Sequence, residues 1–240
     1  MNYREVAEEL AAEFVDSPLE YVAEFDVQAR YYERLRSELD ARGELYAEVM
    51  RPNLAETTNG YERAYWQSAE EKLRRAGRFG RVHTEVSVTQ GERIDLVVFG
   101  DRLERPIRWI DGSKRFDERD LDAAFELKFV KNQSYFPTHV PAASIESLSE
   151  KELRSELDVE RNCLKPDFDE LKRLPNHVEA FSIIYSNENY LYTEPISPAE
   201  RDHRPEYARL GTVAREWISD RAGETNVLYA MPRGSQWLTD

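Results

Sequence analysis

Lysine is nearly missing from this chain: of its 33 basic residues 7 are lysine and 26 arginine, set against 47 acids, for a net charge of −14 over 240 residues. Cysteine occurs once. Cys163 therefore has no intrachain disulfide partner, and with the 4 histidines scattered there is no zinc-ligand spacing. No apolar stretch approaches the roughly 20 residues that cross a bilayer, or the core of a secretory signal, so a cytoplasmic location without a membrane partner is expected. There is no glycine-rich phosphate loop and no internal repeat. Disorder is excluded by what is present, since 11% of the residues are aromatic and several apolar runs are long enough to build a core.

An acidic, arginine-skewed, lysine-poor composition is similar to that of proteins from halophilic archaea, with an ordinary acidic cytosolic protein as the alternative. The distinction bears on partners. In dilute salt a charge of this size repels nucleic acid, but at ~1 M ionic strength the screening length is only about 3 Å and local patches outweigh the total. Acidity does not exclude a polyanionic partner.

Residues 1–55 read as an N-terminal helical extension. Ser17-Pro18-Leu19-Glu20 predicts a capped helix start, and Tyr21, Val22, Phe25, Tyr32, Leu35 and Leu39 follow at helical spacings before Gly43. Residues 51–60 form a turn-rich linker, and 56–240 are expected to make the main α/β domain. A helix is predicted over 61–76. After Gly77 the period changes: Val82, Thr84, Val86 and Val88 alternate with His83, Glu85 and Ser87, Gln90-Gly91-Glu92 makes a turn, and 93–99 returns as a second strand. A charged insertion over 100–120 contains one short strand, 107–110. Then come a strand over 122–130, helices over 144–157 and 167–174, and a strand over 180–185. A helix over 198–220, striped by Tyr207, Leu210, Val213, Ala214, Trp217 and Ile218, and an edge strand over 226–231 complete the chain.

The run from Asp122 to Val130 is built for burial except at Glu126 and Lys128. A two-residue repeat puts these two on one side of a strand, with Phe125, Leu127 and Phe129 on the other. Asp95 interrupts the apolar run 94–99 in the same way. Charges inside buried strands need partners, and either a metal site with an amine beside it or a structural ion pair would supply them. Three glutamates are further candidates. Glu62 stands three residues after Asn59, where it would equally close a capping box, and Glu70 falls on the same predicted helix. Glu85 shares a strand side with His83, as a ligand or as an exposed strand residue. Lys72, Arg74, Arg75, Arg78 and Arg81 form the densest positive stretch in the chain. They would grip phosphates, or complement the C-terminal end of a helix, although Arg78 and Arg81 lie past Gly77.

Helix, strand, strand with aspartate, strand with Glu-x-Lys, helix, strand: across residues 59–187 this order resembles the PD-(D/E)xK nuclease superfamily, the restriction-endonuclease-like fold. Arg93-Ile94-Asp95-Leu96-Val97-Val98 and Phe125-Glu126-Leu127-Lys128-Phe129 carry the resemblance. The segment Asp167-Phe168-Asp169-Glu170-Leu171-Lys172-Arg173-Leu174 is similar to the helix that many members place before the last core strand, with Glu170 where lysine is often found. Ile94 stands where the family has proline, and the charged insertion fills the long interval between Asp95 and Glu126.

The resemblance implies a mixed four- to five-stranded sheet flanked by helices. It implies Mg²⁺ or Mn²⁺ held by Asp95, Glu126 and the carbonyl of Leu127, Lys128 acting on the attacking water, and a first-helix glutamate, Glu62 or Glu70, completing the site. The function it implies is metal-dependent hydrolysis of nucleic acid, DNA ahead of RNA, by a monomer or a homodimer. A non-catalytic binding or assembly protein that retains the fold is the alternative, because fold does not dictate activity.

Overall fold

The computed structural model describes residues 1–50, 54–76, 79–89, 93–103, 107–131, 142–158, 163–203 and 205–239, with the side chains of 70–76, 142–143, 202–203 and 205–207 outside that description. Helix α1 is Tyr3–Asp16 and α2 is Glu24–Ala41; strand β1, Tyr46–Val49, precedes α3, Gly60–Ala76. Strands β2 Phe79–Gly80, β3 Val82–Ser87, β4 Arg93–Phe99, β5 Arg102–Leu103, β6 Ile107–Ile110, β7 Ser113–Phe116 and β8 Leu121–Val130 follow. Then come α4 Ala142–Ile145, α5 Glu150–Leu157, α6 Leu164–Leu171, β9 Glu179–Ser186, α7 Pro198–His203, α8 Pro205–Ala222, β10 Asn226–Met231 and β11 Gly234–Trp237. The α/β class expected from the sequence is observed. No helix among the described residues is long and apolar enough to cross a membrane.

The chain divides into two compact units, Met1, Gln28–Phe125 and Arg173–Ala180 in the first, and Asn2–Val27, Glu126–Lys172 and Phe181–Asp240 in the second. The division does not fall near residue 55. Helix α1 belongs to the second unit, while α2 from Gln28 onward belongs to the first.

In the first unit β3, β4 and the opening half of β8 form an antiparallel ladder, with Val97 opposite both His83 and Ala124, and Leu96 opposite Phe125. Its apolar side carries Ile94, Leu96 and Val98, all buried, and Tyr31 of α2 lies against Phe125 with ring centroids 5.9 Å apart. Strand β1 pairs with β2 and β5, and β6 with β7 in a hairpin that the sequence showed only by its first strand. Phe79, Phe99 and Phe116 form an aromatic cluster around His83.

The second unit holds the closing half of β8 followed by β9, β10 and β11, with β9 and β10 parallel. Helix α1 lies against β10 and β11 because Tyr3, Val6, Ala7, Leu10, Ala11 and Phe14 recur at helical spacing and are all buried. Phe14 stacks on Tyr185 at 4.6 Å and meets Tyr21 and Phe129 edge-on. Helices α4 to α7 gather on α8, whose Leu210, Val213, Ala214, Trp217 and Ile218 supply the predicted stripe. Tyr207 and the turn at 90–92 lie outside the described residues.

Three expectations about elements are corrected. Pro18–Glu20 is a single 3-10 turn rather than a helix start, because the Asp26 carboxylate accepts from the Val22 and Ala23 amides, each at 2.8 Å, and opens α2 there. The helix expected over 144–157 is two helices, since Ser149 and Glu152 close a capping box that begins α5. The helix expected over 198–220 is described as α7 up to His203 and α8 from Pro205, and residue 204 between them lies outside the described residues. Finally, β10 is not an edge, because β11 folds back onto it in antiparallel pairing.

Gly211 of α8 makes a sharp test of this packing. A Cβ there would sit 2.6 Å from the Leu191 carbonyl oxygen, and Arg215, one turn on, donates from Nη1 to the Tyr192 carbonyl at 2.8 Å. Glycine to alanine in a helix interior ordinarily stabilises by up to ~1 kcal/mol. Here overpacking reverses the sign, and Gly211→Ala is expected to destabilise by about 1–3 kcal/mol in chemical denaturation.

Candidate functional site

Asp95 of β4 immediately precedes Leu96, the ladder partner of Phe125. Its main chain is held from α2, where Gln28 Nε2 donates to the Asp95 carbonyl at 2.8 Å and to Glu85 Oε1 at 3.0 Å. Glu85 Oε2 also lies 2.7 Å from Arg93 Nε. Glu85 has φ 56°, in the left-handed region that non-glycine residues rarely adopt, and the β3–β4 ladder passes from Thr84–Leu96 to Val86–Ile94 without pairing the residues between. Backbone strain is thus stored directly beside Asp95, as is common at functional sites. The sequence indicated Glu85 but not Gln28, which comes from a helix 67 residues away along the chain.

In the second unit, β8 continues into Glu126, Leu127 and Lys128. Glu126 is 5% exposed and Leu127 fully buried. Lys128 Nζ lies 3.3 Å from Asp167 Oδ2 in the first turn of α6 and 3.9 Å from Glu24 Oε2 at the start of α2. Glu24 also accepts from the Phe129 amide at 3.4 Å. Asp167 and Glu24 are the two residues that the sequence reading gave no role here. The Asp-Phe-Asp-Glu helix was a usable signal for Asp167, whereas nothing local marks Glu24. Cys163 sits just before α6 near this cluster, and burial pushes its thiol up to about 11, with Lys128 working against the shift and the Asp167 and Glu24 carboxylates adding to it. At neutral pH it stays protonated and is no nucleophile.

Of the sequence candidates, then, Asp95 and Glu85 belong to the first unit, and Glu126, Leu127 and Lys128 to the second. Among the described residues no three side chains of His, Cys, Asp and Glu form a group able to hold a metal ion. Glu62 is buried in the first turn of α3, where Asn59 Oδ1 accepts from the Tyr61 and Glu62 amides at 3.0 and 3.1 Å. The helix cap anticipated at Asn59 is present. The side chains of Glu70, Lys72, Arg74 and Arg75, and the whole of Arg78, lie outside the described residues. Arg81 is 5% exposed: Nε donates to the Phe99 carbonyl at 2.6 Å, Nη1 to the Glu44 carbonyl at 3.3 Å, and Nη2 to the Asp122 carboxylate. Its guanidinium is used inside the fold, unlike the phosphate grip expected of the basic run.

A separate cavity of about 620 Å³ opens in the first unit, lined by Glu62, Thr89, Arg108, Trp109, Asp117, Glu118 and Arg119, with Thr58, Asn59 and Ile110. Asp117 accepts from Arg108 Nη2 at 2.8 Å and from Arg119 Nε and Nη2 at 2.9 and 2.7 Å. The Arg119 hydrogen bond first, then that of Arg108, holds the Asp117 carboxyl well below the usual carboxylate range against the opposing effect of burial. Glu118 accepts from the Thr89 amide at 3.1 Å and from its hydroxyl.

The chain matches no family model, no curated protein sequence and no solved structure.

The Asp117 cluster carries a pH signature. Because the folded-state pKa is depressed, its contribution is complete above the ordinary value of about 3.9 and is lost as pH falls through that value toward the folded one. Asp117→Asn should cost about 1.5–3 kcal/mol near neutrality. The gap to the parent should narrow as urea unfolding is repeated below about pH 4, and a gap that widens in acid contradicts the assignment.

Proposed function

We propose that this chain hydrolyses nucleic-acid phosphodiesters in a metal-dependent reaction of the PD-(D/E)xK type, DNA ahead of RNA, with Asp95, Glu126 and Lys128 at its centre. One observation carries this reading. Leu96 and Phe125 are ladder partners, Asp95 adjoins the first and Glu126 the second, and strand alternation turns each acid away from the apolar side of its own strand. The succession α3, the antiparallel strands β3, β4 and β8, then α6, β9, α8 and β10 supports a restriction-endonuclease-like core.

Asp95, Glu126 and the Leu127 carbonyl are hard oxygen donors, which suits Mg²⁺ or Mn²⁺, and they would hold one ion between them. That ion would neutralise phosphate charge and lower the pKa of a bound water. Lys128, its amine steadied by Asp167 and Glu24, would orient the attacking water and set positive charge against the pentavalent phosphorus. Gln28 would keep the Asp95 main chain in place. Lys72, Arg74, Arg75 and Arg78 would contact backbone phosphates.

A second reading rests on an observation of its own. The Lys128 ion pairs with Asp167 and Glu24, together with the lack of a three-residue metal group among the described residues, would equally suit a non-catalytic binding protein in which these charges are structural.

Cleavage of DNA and RNA in high salt separates the two. Parent protein should cut with Mg²⁺ or Mn²⁺ and stop in chelator, and Lys128→Ala should lose at least about 100-fold in rate while still unfolding in a cooperative transition, at a lowered midpoint. Cleavage that survives chelator, or a Lys128→Ala protein as active as the parent, sinks the hydrolytic reading.

A further inference from the structure

We propose that the turn leading from α1 into α2 docks a basic amphipathic segment of a partner protein, whose apolar face lies on Leu19, Val22 and Phe25 and whose lysines or arginines meet the acids set among them. This does not depend on the hydrolytic reading, in which none of these three residues takes part.

Leu19 is 93% exposed, Val22 68% and Phe25 75%. Apolar side chains scattered singly over a surface need no explanation, but three within seven residues make the kind of patch that marks an interaction site. The turn that carries them is fixed from beneath. Tyr21, between Leu19 and Val22, is buried, with its ring edge-on to Phe14 at 5.3 Å and to Tyr185 at 5.8 Å. The Glu20 amide donates to the Ser17 carbonyl at 3.1 Å and the Tyr21 amide to the Pro18 carbonyl at 3.3 Å, while the Asp26 carboxylate accepts from the Val22 and Ala23 amides. Apolar groups presented on so fixed a backbone need little ordering when a partner arrives.

Charge decides what that partner is. Residues 13–26 hold Glu13, Asp16, Glu20, Glu24 and Asp26 with no lysine, arginine or histidine, and the last turn of α1 has no base to offset the negative end of its dipole. Lys128 reaches Glu24 at 3.9 Å, but its amine is nearer Asp167, at 3.3 Å, and its side chain is only 23% exposed. Acids interleaved with the apolar residues lie at contact range from whatever covers them, where salt screens least. Nucleic acid and an anionic bilayer carry the same sign and are disfavoured. A second copy meeting this turn across a two-fold axis would set acid against acid. A segment with apolar residues along one face and basic residues flanking them matches both features of the turn.

The test is fluorescence anisotropy of a labelled synthetic peptide, an amphipathic helix with leucines on one face and lysines beside them, titrated with the full chain. The parent should bind it, and Leu19→Ser with Phe25→Ser should weaken binding about tenfold or more while the circular dichroism spectrum stays that of the parent. Val22→Ser alone serves should the double variant fold poorly, and should weaken binding by about threefold or more. Asp16→Asn with Glu20→Gln should weaken binding and flatten its salt dependence. A peptide of the same composition with its apolar and basic residues intermixed should bind at least about tenfold more weakly, because a bare charge attraction does not need the pattern. The proposal is overturned if the parent does not bind the patterned peptide, if the intermixed peptide binds equally well, or if the serine variants bind as the parent does. It is also overturned if the parent self-associates, or binds anionic vesicles or DNA, in a way that Leu19→Ser with Phe25→Ser abolishes, since the occupant is then a second copy, a lipid surface or a nucleic acid.

Discussion

A charged side chain inside a strand must be answered by an opposite charge or by hydrogen bonds, because the desolvation penalty of an unanswered ion is several kcal/mol. Strand β8 makes that demand at Glu126 and again at Lys128. In the second unit Lys128 is met by Asp167 and Glu24, so the first turn of α6 and the first turn of α2 are both brought to one amine. The start of α2 is therefore set by two acids, Asp26 capping the helix from within and Glu24 reaching the strand. In the first unit the comparable demand falls on β4. There the Gln28 amide bonds the Asp95 main-chain carbonyl and the Glu85 carboxylate, and that carboxylate also pairs with Arg93. Ion pairs at Glu85 and around Lys128 are how these strands carry charge among apolar neighbours.

The arginine-rich, lysine-poor composition has a structural counterpart. Arginine offers a planar fork of donors that lysine lacks, and here much of that capacity is turned inward. Arg209 donates to the Ile145 and Leu148 carbonyls at 2.9 and 2.6 Å, tying α8 to the end of α4, and Arg154 joins α5 to α8 through Glu216 and Asp220. Arg81 fills the same role between β3, β4 and β8. The excess of 47 acids over 33 basic residues thus understates how few cations are left for a partner. Any polyanion is confined to local clusters of cations, under salt that shortens the reach of the surrounding acids.

The α/β class, β3, β4, β8 and the stripe of α8 were legible because period-2 and period-3.6 apolar patterns report burial directly. The position of Glu126 and Lys128 in a buried strand was legible for the same reason. Breaks between helices were not, because Ser149 and Asp26 act through single hydrogen bonds that a smooth periodicity does not register. Strand β11 was missed because Gly-Ser-Gln-Trp carries almost no apolar alternation and is held by pairing to β10. Gln28, Glu24 and Asp167 reach their partners across long stretches of chain, and long-range partners leave no local signature. Arg81 was read with its basic neighbours as a phosphate contact, although its place in the strand region after Gly77 is what buries it.

The central claim is that Asp95 and Glu126 serve one cation, and equilibrium titration with Mn²⁺ measures it most directly, since it needs neither substrate nor turnover. In high salt the parent should bind one ion per chain. Asp95→Asn and Glu126→Gln, each removing a charge with little change of shape, should each abolish that site and leave the thermal unfolding profile recognisably native. A folded parent that binds no Mn²⁺, or two variants that bind it as the parent does, would show that these acids are structural and contradict the account.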